Sequence, residues 1–267
     1  MERPGRLSGK IAIVTGAGAR GDGIGNGRAV AILFAREGAK VLLVGRREEP
    51  LERTRTMIEE DQHTTGHDGG AAVCVADVTV AADCERMVAD AVGRWGRLDI
   101  LHNNVGLSGP GSILKTDEVE WERVLRSNVI SMMLACQQAI PAMTESGGGS
   151  IINISSISAI RPRGLTPYST SKGAVLALTR ALAVDHGRDG IRSNCIIVGP
   201  VFTPMVDTHT MTDERREQRR LASPLGIEGT AWDVANAAVY LASDEARYVT
   251  GVELPVDGGV SVASPRR

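Results

Sequence analysis

Short apolar runs recur along the chain, each closed by glycine or polar residues and followed by a stretch of helical period. Residues 11–14, 41–44, 71–75 and 98–101 read as buried strands, with helices between them over 28–37, 48–60 and 81–95. Gly38 sits where the first helix should be C-capped, and residues 63–70 read as a loop. The alternation continues with a helix over 118–143, broken near Asn128, and a strand over 150–154 after three glycines. A long helix over 168–186, a strand over 191–197, a helix over 232–242 and a strand over 252–256 complete it. The strands are apolar throughout, so both faces of the sheet must be covered. The pattern predicts an α/β fold: a single doubly wound, Rossmann-like domain over residues 1–267. Its parallel sheet has about seven strands, with helices on both faces.

One connection breaks the rhythm. The segment 204–226 is too long for a plain link between strand and helix. It predicts a lid containing a short helix capped by Thr210 or Thr212, with Met211, Arg215, Gln218 and Leu221 on one face.

Composition narrows the class of function. Hydrophobic residues make up 42% of the chain but aromatics only 3%, so Ala, Val, Ile and Leu must build the core. That argues against an aromatic platform for single-stranded nucleic acid. The net charge of -2 leaves no basic footprint for DNA or RNA. The four cysteines are scattered without metal-ligand spacing. His63 and His67 are four apart, but in a polar, Gly-rich stretch, and no metal is expected there. The first ten residues carry no apolar leader, and no run reaches the ~18 apolar residues of a membrane span. A cytoplasmic protein acting on a small molecule is the expectation.

Thr15-Gly16-Ala17-Gly18 follows the first strand directly, and further glycines lead into the helix at Arg28. Strand, Gly-rich turn and helix start form a dinucleotide cradle: the backbone can approach a pyrophosphate, and the helix end offers unpaired N–H groups. At the end of the second strand an acidic residue would bind the ribose hydroxyls of NAD. This chain has Val44-Gly45-Arg46-Arg47 there. An arginine can grip a 2′-phosphate with charge-assisted hydrogen bonds, so NADP is favoured, with NAD possible. Further along, Tyr168 and Lys172 are four apart and project from one face of a helix. A free phenol titrates near ~10, and a neighbouring ammonium favours its ionised form.

Taken in order, these segments resemble the short-chain dehydrogenase/reductase family over roughly residues 8 to 260. The resemblance rests on Thr15-Gly16-Ala17-Gly18, Asp77-Val78, Asn103-Asn104-Val105-Gly106, Tyr168-Ser169-Thr170-Ser171-Lys172 and Pro255-Val256-Asp257-Gly258-Gly259. Relatives of the 3-oxoacyl reductase and alcohol dehydrogenase kind are implied. The phosphate turn is longer than the family's. Its last two glycines are Gly25 and Gly27 if five residues are inserted, or Gly23 and Gly25 if three are; the first alignment starts the helix at the usual point.

The resemblance implies roles for further residues. Gly16, Gly18, Gly25 and Gly27 would form the cradle. Asp77 would accept from the adenine amino group, with Val78 beside it, and Asn103 would line the adenosine side. Ser156, or Ser155 one residue earlier, would bond the substrate carbonyl. Tyr168 would transfer the proton, and Lys172 would lower its pKa and bind the nicotinamide ribose. Asn128 would hold a helix bend and a water linked to Lys172. In Val198-Gly199-Pro200-Val201-Phe202-Thr203, Val201 and Thr203 would meet the nicotinamide end. Leu107, residues 157–167 and the lid would line the substrate pocket. The family also implies a homotetramer or homodimer built on the helices near 118–143 and 168–186. A non-catalytic cofactor-binding regulator on the same fold is the competing reading.

Overall fold

A computed structural model describes residues 4–19, 21–65, 69–109, 111–162, 164–206 and 211–264, and the side chains of 63–65 are not among what it describes. The apolar runs form strands β1 (Ile11–Thr15), β2 (Lys40–Gly45), β3 (Gly70–Val75), β4 (Ile100–Asn103), β5 (Gly149–Ser156) and β6 (Ile191–Val198). A two-residue strand, β7 (Val201–Phe202), and its partner β8 (Gly229–Thr230) stand apart, and β9 (Glu253–Val256) joins the main sheet. That sheet has seven strands in the order β3-β2-β1-β4-β5-β6-β9, and every pairing is parallel.

Successive strand residues point to opposite faces, and both faces are dry. Ala12 and Val14 of β1 join Val41, Leu43, Ile152 and Ile196 in one core; Ile11 and Ile13 join Leu42, Leu101 and Ile151 in the other. Helices α1 (Asn26–Arg36), α2 (Glu48–Thr65) and α8 (Ala231–Ala242) cover the first face. Helices α3 (Ala81–Trp95), α5 (Ser131–Glu145) and α6 (Thr166–His186) cover the second. Small residues on α1 and α8 (Ala29, Ala31, Ala35, Ala235, Ala238) let the two helices pack closely on the sheet. The result is the single α/β domain with a seven-stranded parallel sheet that the pattern predicts.

Among the boundaries that differ from the expectation, those of α2 and β4 have a visible cause. Helix α2 runs on to Thr65 instead of ending at Glu60, because Asp61 is fastened to Arg36 of α1 at 2.6 Å. His67 lies outside the described residues. Strand β4 starts at Ile100, since the Asp99 carboxylate is spent on the backbone N–H of Ile11 and on Arg97. The helix over 118–143 divides into α4 (Glu118–Leu125), a π-helical turn (Arg126–Ile130) and α5, so the expected break falls at Asn128.

The long connection after β6 is ordered at its base by the β7–β8 pair and holds helix α7 (Asp213–Leu221). Thr212 is its N-cap, accepting from the backbone N–H of Arg215 at 3.3 Å; Thr210 lies outside the described residues. Residues 207–210 of the expected lid also lie outside them.

In this strand order the chain leaves β1 toward β2 and β3 on one side and resumes with β4 on the other. The crevice beyond the carboxyl ends of β1 and β4 is the place where open α/β sheets bind ligands. Thr15, Gly45, Asn103, Ser156 and Val198 all end their strands on that edge.

Candidate active site

Gly16 turns the chain off β1 with a φ of 66°, a conformation that favours glycine. Helix α1 begins at Asn26, so Gly25 is its N-cap and Gly27 lies in its first turn. A Cβ on Gly27 would stand 2.2 Å from the carbonyl oxygen of Gly16, so helix and turn touch backbone to backbone. A Cβ on Gly18 would meet the Pro50 side chain at 2.9 Å. This packing favours the alignment in which Gly25 and Gly27 close the motif. Asn104 ties the turn to β4, donating to the carbonyls of Thr15 and Gly16 at 3.3 and 3.2 Å.

The helix end fits an anionic group. Gly25 gives no side-chain cap and the first turn has no acidic residue, so the leading N–H groups and the positive end of the helix dipole face the crevice. The side-chain oxygen of Asn26 is buried there without a partner among the described residues, and a ligand hydroxyl or a water would satisfy it. The residues present therefore fit a dinucleotide.

Around the rim, Asp77 accepts from the N–H and hydroxyl of Thr79 through one oxygen, at 2.9 and 2.8 Å. Val78 has its side chain in the core, so its backbone is what it can offer a ligand. Asn103 also turns inward: its amide donates to Asn153 at 2.9 Å, and Asn153 donates to Thr179 of α6 at 3.0 Å. The side chain of Asn103 is thus part of a buried bridge across the sheet and does not line the adenosine side. Gly45 ends β2, and Arg46 and Arg47 are exposed, in no ion pair with other described residues.

At the other end of the crevice, Tyr168 sits in the first turn of α6, partly buried, with the Ser156 side chain near enough to act on its hydroxyl. Strand alternation separates the two candidate serines. Ser155 is buried and donates to the carbonyl of Lys172 at 2.8 Å, whereas Ser156 ends the strand beside Tyr168. Lys172 is buried and donates to the carbonyl of Ile154 at 2.8 Å, with its Nζ 5.8 Å from the centre of the Tyr168 ring. Gly106 makes room for it: a Cβ there would lie 3.2 Å from the Lys172 Nζ and 3.4 Å from the Asn128 oxygen.

Asn128, in the π-helical turn, has its side chain fully engaged. It accepts from the N–H of Leu107 at 2.8 Å and donates to the Leu107 carbonyl at 3.0 Å and to Ser171 at 2.9 Å. It therefore locks the loop after β4 onto α6. Val201 is buried, its carbonyl accepting from Arg219 of α7 at 3.2 Å, and Thr203 is buried just beyond β7.

Burial lowers the Lys172 pKa to about 8, because the charged ammonium loses solvation. Burial raises the pKa of Tyr168, and the nearby Ser156 hydroxyl only partly opposes it. The expectation that Lys172 pulls the phenol down is not met by the protein alone; desolvation dominates at both groups. Among the described residues no cluster of three or more metal-ligating side chains occurs, and all four cysteines are free and buried.

The fold is a Rossmann-type α/β domain, and Tyr168, Lys172 and Ser156 come together at the carboxyl edge of its sheet. Residues 18–261 match the family model described as enoyl-(acyl carrier protein) reductase. The chain is 37% identical over 259 residues to 2,5-dichloro-2,5-cyclohexadiene-1,4-diol dehydrogenase of Sphingobium indicum, covering 96% of this chain and 98% of that one. A solved short-chain dehydrogenase/reductase from Burkholderia xenovorans superposes with a TM-score of 0.90 at 42% identity, covering 97% and 99% of the two chains. A 7α-hydroxysteroid dehydrogenase solved with NADH and 7-oxo glycochenodeoxycholic acid gives 0.84 at 34% identity, over 95% of each chain. The chain belongs to the short-chain dehydrogenase/reductase family, whose members use a nicotinamide cofactor.

Sequence reasoning missed Asn104, Gly106 and Arg28 as residues shaping this site. Asn104 and Gly106 stand inside a quoted motif, but only their contacts reveal their parts. Arg28 reads only as the start of the first helix, and it is fully buried.

Proposed function

We propose that this protein transfers hydride between NADP(H) and a small-molecule ketone or secondary alcohol, with Tyr168 as general acid/base. The observation that carries the reading is the Tyr168 hydroxyl beside Ser156, with buried Lys172 on the same helix face, across the crevice from an uncapped helix end free of acids. When bound, the nicotinamide supplies or takes up the hydride. In the reducing direction Tyr168 gives its proton to the forming alkoxide, and Ser156 donates a hydrogen bond to the same oxygen. A phenol whose pKa is raised by burial is protonated at neutral pH, as an acid must be. In the oxidising direction the phenolate must form, and the Lys172 ammonium favours it.

The cradle of Gly16, Gly18, Gly25 and Gly27 would hold the pyrophosphate, Asp77 and Val78 the adenine, and Lys172, Val201 and Thr203 the nicotinamide end. NADP is the preferred form on the strength of Gly45 and of Arg46, which is exposed and in no ion pair among the described residues. The substrate class follows the relatives named above, a cyclohexadienediol dehydrogenase and a hydroxysteroid dehydrogenase, toward ring-borne secondary alcohols and their ketones. A cytoplasmic homotetramer or homodimer belongs to the same reading, and exposed Leu114, Val119 and Val184 on the helical side support it. Among the described residues, no helix is long and apolar enough to cross a membrane.

The test is binding and turnover with both cofactors over a panel of cyclic ketones and alcohols. NADPH should be favoured by roughly 10- to 150-fold, the worth of one to two charge-assisted hydrogen bonds. Gly45→Asp with Arg46→Ala should reverse the preference, although a Cβ at Gly45 meets Leu51 at 3.3 Å and that side chain must yield. Equal use of both cofactors by the unmutated protein would sink the NADP assignment and favour an NAD-dependent alcohol dehydrogenase.

A further inference from the structure

Arg28 lies on the first turn of α1, next to the glycine that closes the phosphate cradle, and its side chain has no solvent exposure. A buried guanidinium ordinarily faces a carboxylate. This one faces neutral oxygens: the carbonyls of Gly21 and Gly23 at 2.9 and 2.7 Å, the carbonyl of Pro50 at 3.3 Å and the hydroxyl of Thr54 at 3.0 Å. Thr54 in turn donates to the carbonyl of Ala17, inside the Gly-rich turn, at 2.9 Å. The one side chain thus joins three elements: the turn residues inserted ahead of α1, the start of α2, and α1 itself.

The charge balance points to an anion. Asp22, the carboxylate that acts on Arg28 through space, is ion-paired to Arg53 of α2. Asp22, Arg53 and Arg28 together leave a net positive charge beside the cradle. A second binding energy source therefore stands next to the helix dipole, on a guanidinium that is itself shut off from water although Asp22 and Arg53 are exposed.

We propose that Arg28 is a positioning residue for the dinucleotide, pinning the inserted turn to α2 and placing an uncompensated positive charge behind the phosphate cradle. The proposal rests on the nicotinamide-dinucleotide reading given above and assigns the inserted turn a part in it. Held by two carbonyls, the turn keeps its backbone beside the α1 end. Held also by Pro50 and Thr54, it fixes the distance from the cradle to the Arg46 corner at the end of β2, so both phosphate ends of NADP(H) meet one rigid frame. Lysine would keep the charge but cannot span four acceptors on the turn and α2.

Titration calorimetry with NADPH, and separately with ADP-ribose, tests this without turnover. Arg28→Met should weaken NADPH binding by about tenfold or more, the effect of losing a charged partner. Arg28→Lys should recover part of that loss. Thr54→Val removes one acceptor and spares the charge, and should weaken binding by a smaller factor while raising deuterium uptake over 21–25. In steady state the cofactor KM should rise while the ketone KM and the saturated kcat change by less than about threefold. If Arg28→Met does not fold, the Lys and Val variants carry the test. Unchanged Kd in folded variants that only melt earlier would make Arg28 a purely structural residue and overturn the proposal. A wild-type protein that binds neither nucleotide would instead overturn the dinucleotide reading on which it rests.

Discussion

At the scale of single residues, burial sets the chemistry. Tyr168 and Lys172 share a helix face, yet each is pushed toward its neutral form: the phenol's pKa rises and the ammonium's falls to about 8. Tyr168→Phe keeps the ring packed and removes only the proton, so turnover should fall by ~100- to 10,000-fold with NADPH binding nearly intact. Activity within threefold of wild type would remove Tyr168 from the mechanism. The shift at Lys172 gives a signed pH effect. Above about pH 8 the side chain loses its proton in the free protein, and with it the charge that steadies the ribose and the phenol. For ketone reduction, kcat/KM should therefore decline as pH rises through about 8, and Lys172→Arg, which stays charged, should lose that limb even if its overall rate is lower. A profile flat well into the alkaline range in the wild type would contradict this. Such residue-level roles were only partly legible in the chain. Tyr168 and Lys172 announce themselves by spacing. The resemblance favours Ser156 without excluding Ser155, and the strand separates them by turning Ser155 toward α6 and leaving Ser156 beside Tyr168. Arg28 was invisible because its partners, Gly21, Pro50 and Thr54, are brought to it only by folding.

Among the elements, α7 is the least secured. None of its residues is buried, and Leu221 at its end is exposed together with Met205, Leu225 and Ile227 around it. Charged contacts hold it instead: Arg219 to the carbonyl of Val201, and Arg216 both paired to Glu228 at 2.6 Å and stacked on the Phe202 ring at 4.0 Å. Such surface contacts stabilise weakly, so the helix should open at low free energy. The β7–β8 pair gives the segment a fixed base from which to close over a substrate and exclude water. Hydrogen exchange should show residues 211–225 poorly protected in the free protein and slowed on adding NADPH with a ketone. Strong protection that does not change on binding would make α7 a fixed surface helix. The helix itself was legible from its cap and charge pattern. Its anchors were not, since each joins it to a residue of the 201–228 stretch whose position depends on the sheet. The same distinction runs through the fold. Apolar runs and glycine stops located all seven strands of the main sheet, because those signals are local. The two-residue β7 and β8 carry no periodicity of their own and exist through their pairing.

For the molecule as a whole, one buried group ties stability to pH. His102 lies on β4 between Val14 and Ile152 of the neighbouring strands, at the middle of the sheet. Its ring stands edge-on to Phe34 of α1 at 6.2 Å, and neither ring nitrogen has a partner among the described residues. Burial there lowers its pKa to about 3, since a charged imidazolium in that core would lose its hydration without compensation. The consequence has a definite sign. Above the unfolded value near 6.5 the ring is neutral in both states and contributes nothing to pH dependence. Below it the unfolded chain takes up a proton that the folded chain refuses, so stability falls as pH drops, until the folded value near 3 is reached. The slope over that window approaches about 1.4 kcal/mol per pH unit from this one side chain. His102→Leu keeps an apolar group of similar size against Phe34 and removes the titration. Denaturant unfolding of both proteins at neutral pH and at mildly acidic pH reads the difference. The variant should lose less stability on acidification, by about 2.6 kcal/mol for a drop to two units below the unfolded pKa. Parallel losses in the two proteins would show that His102 is solvated or partnered in the folded state and that acid acts elsewhere.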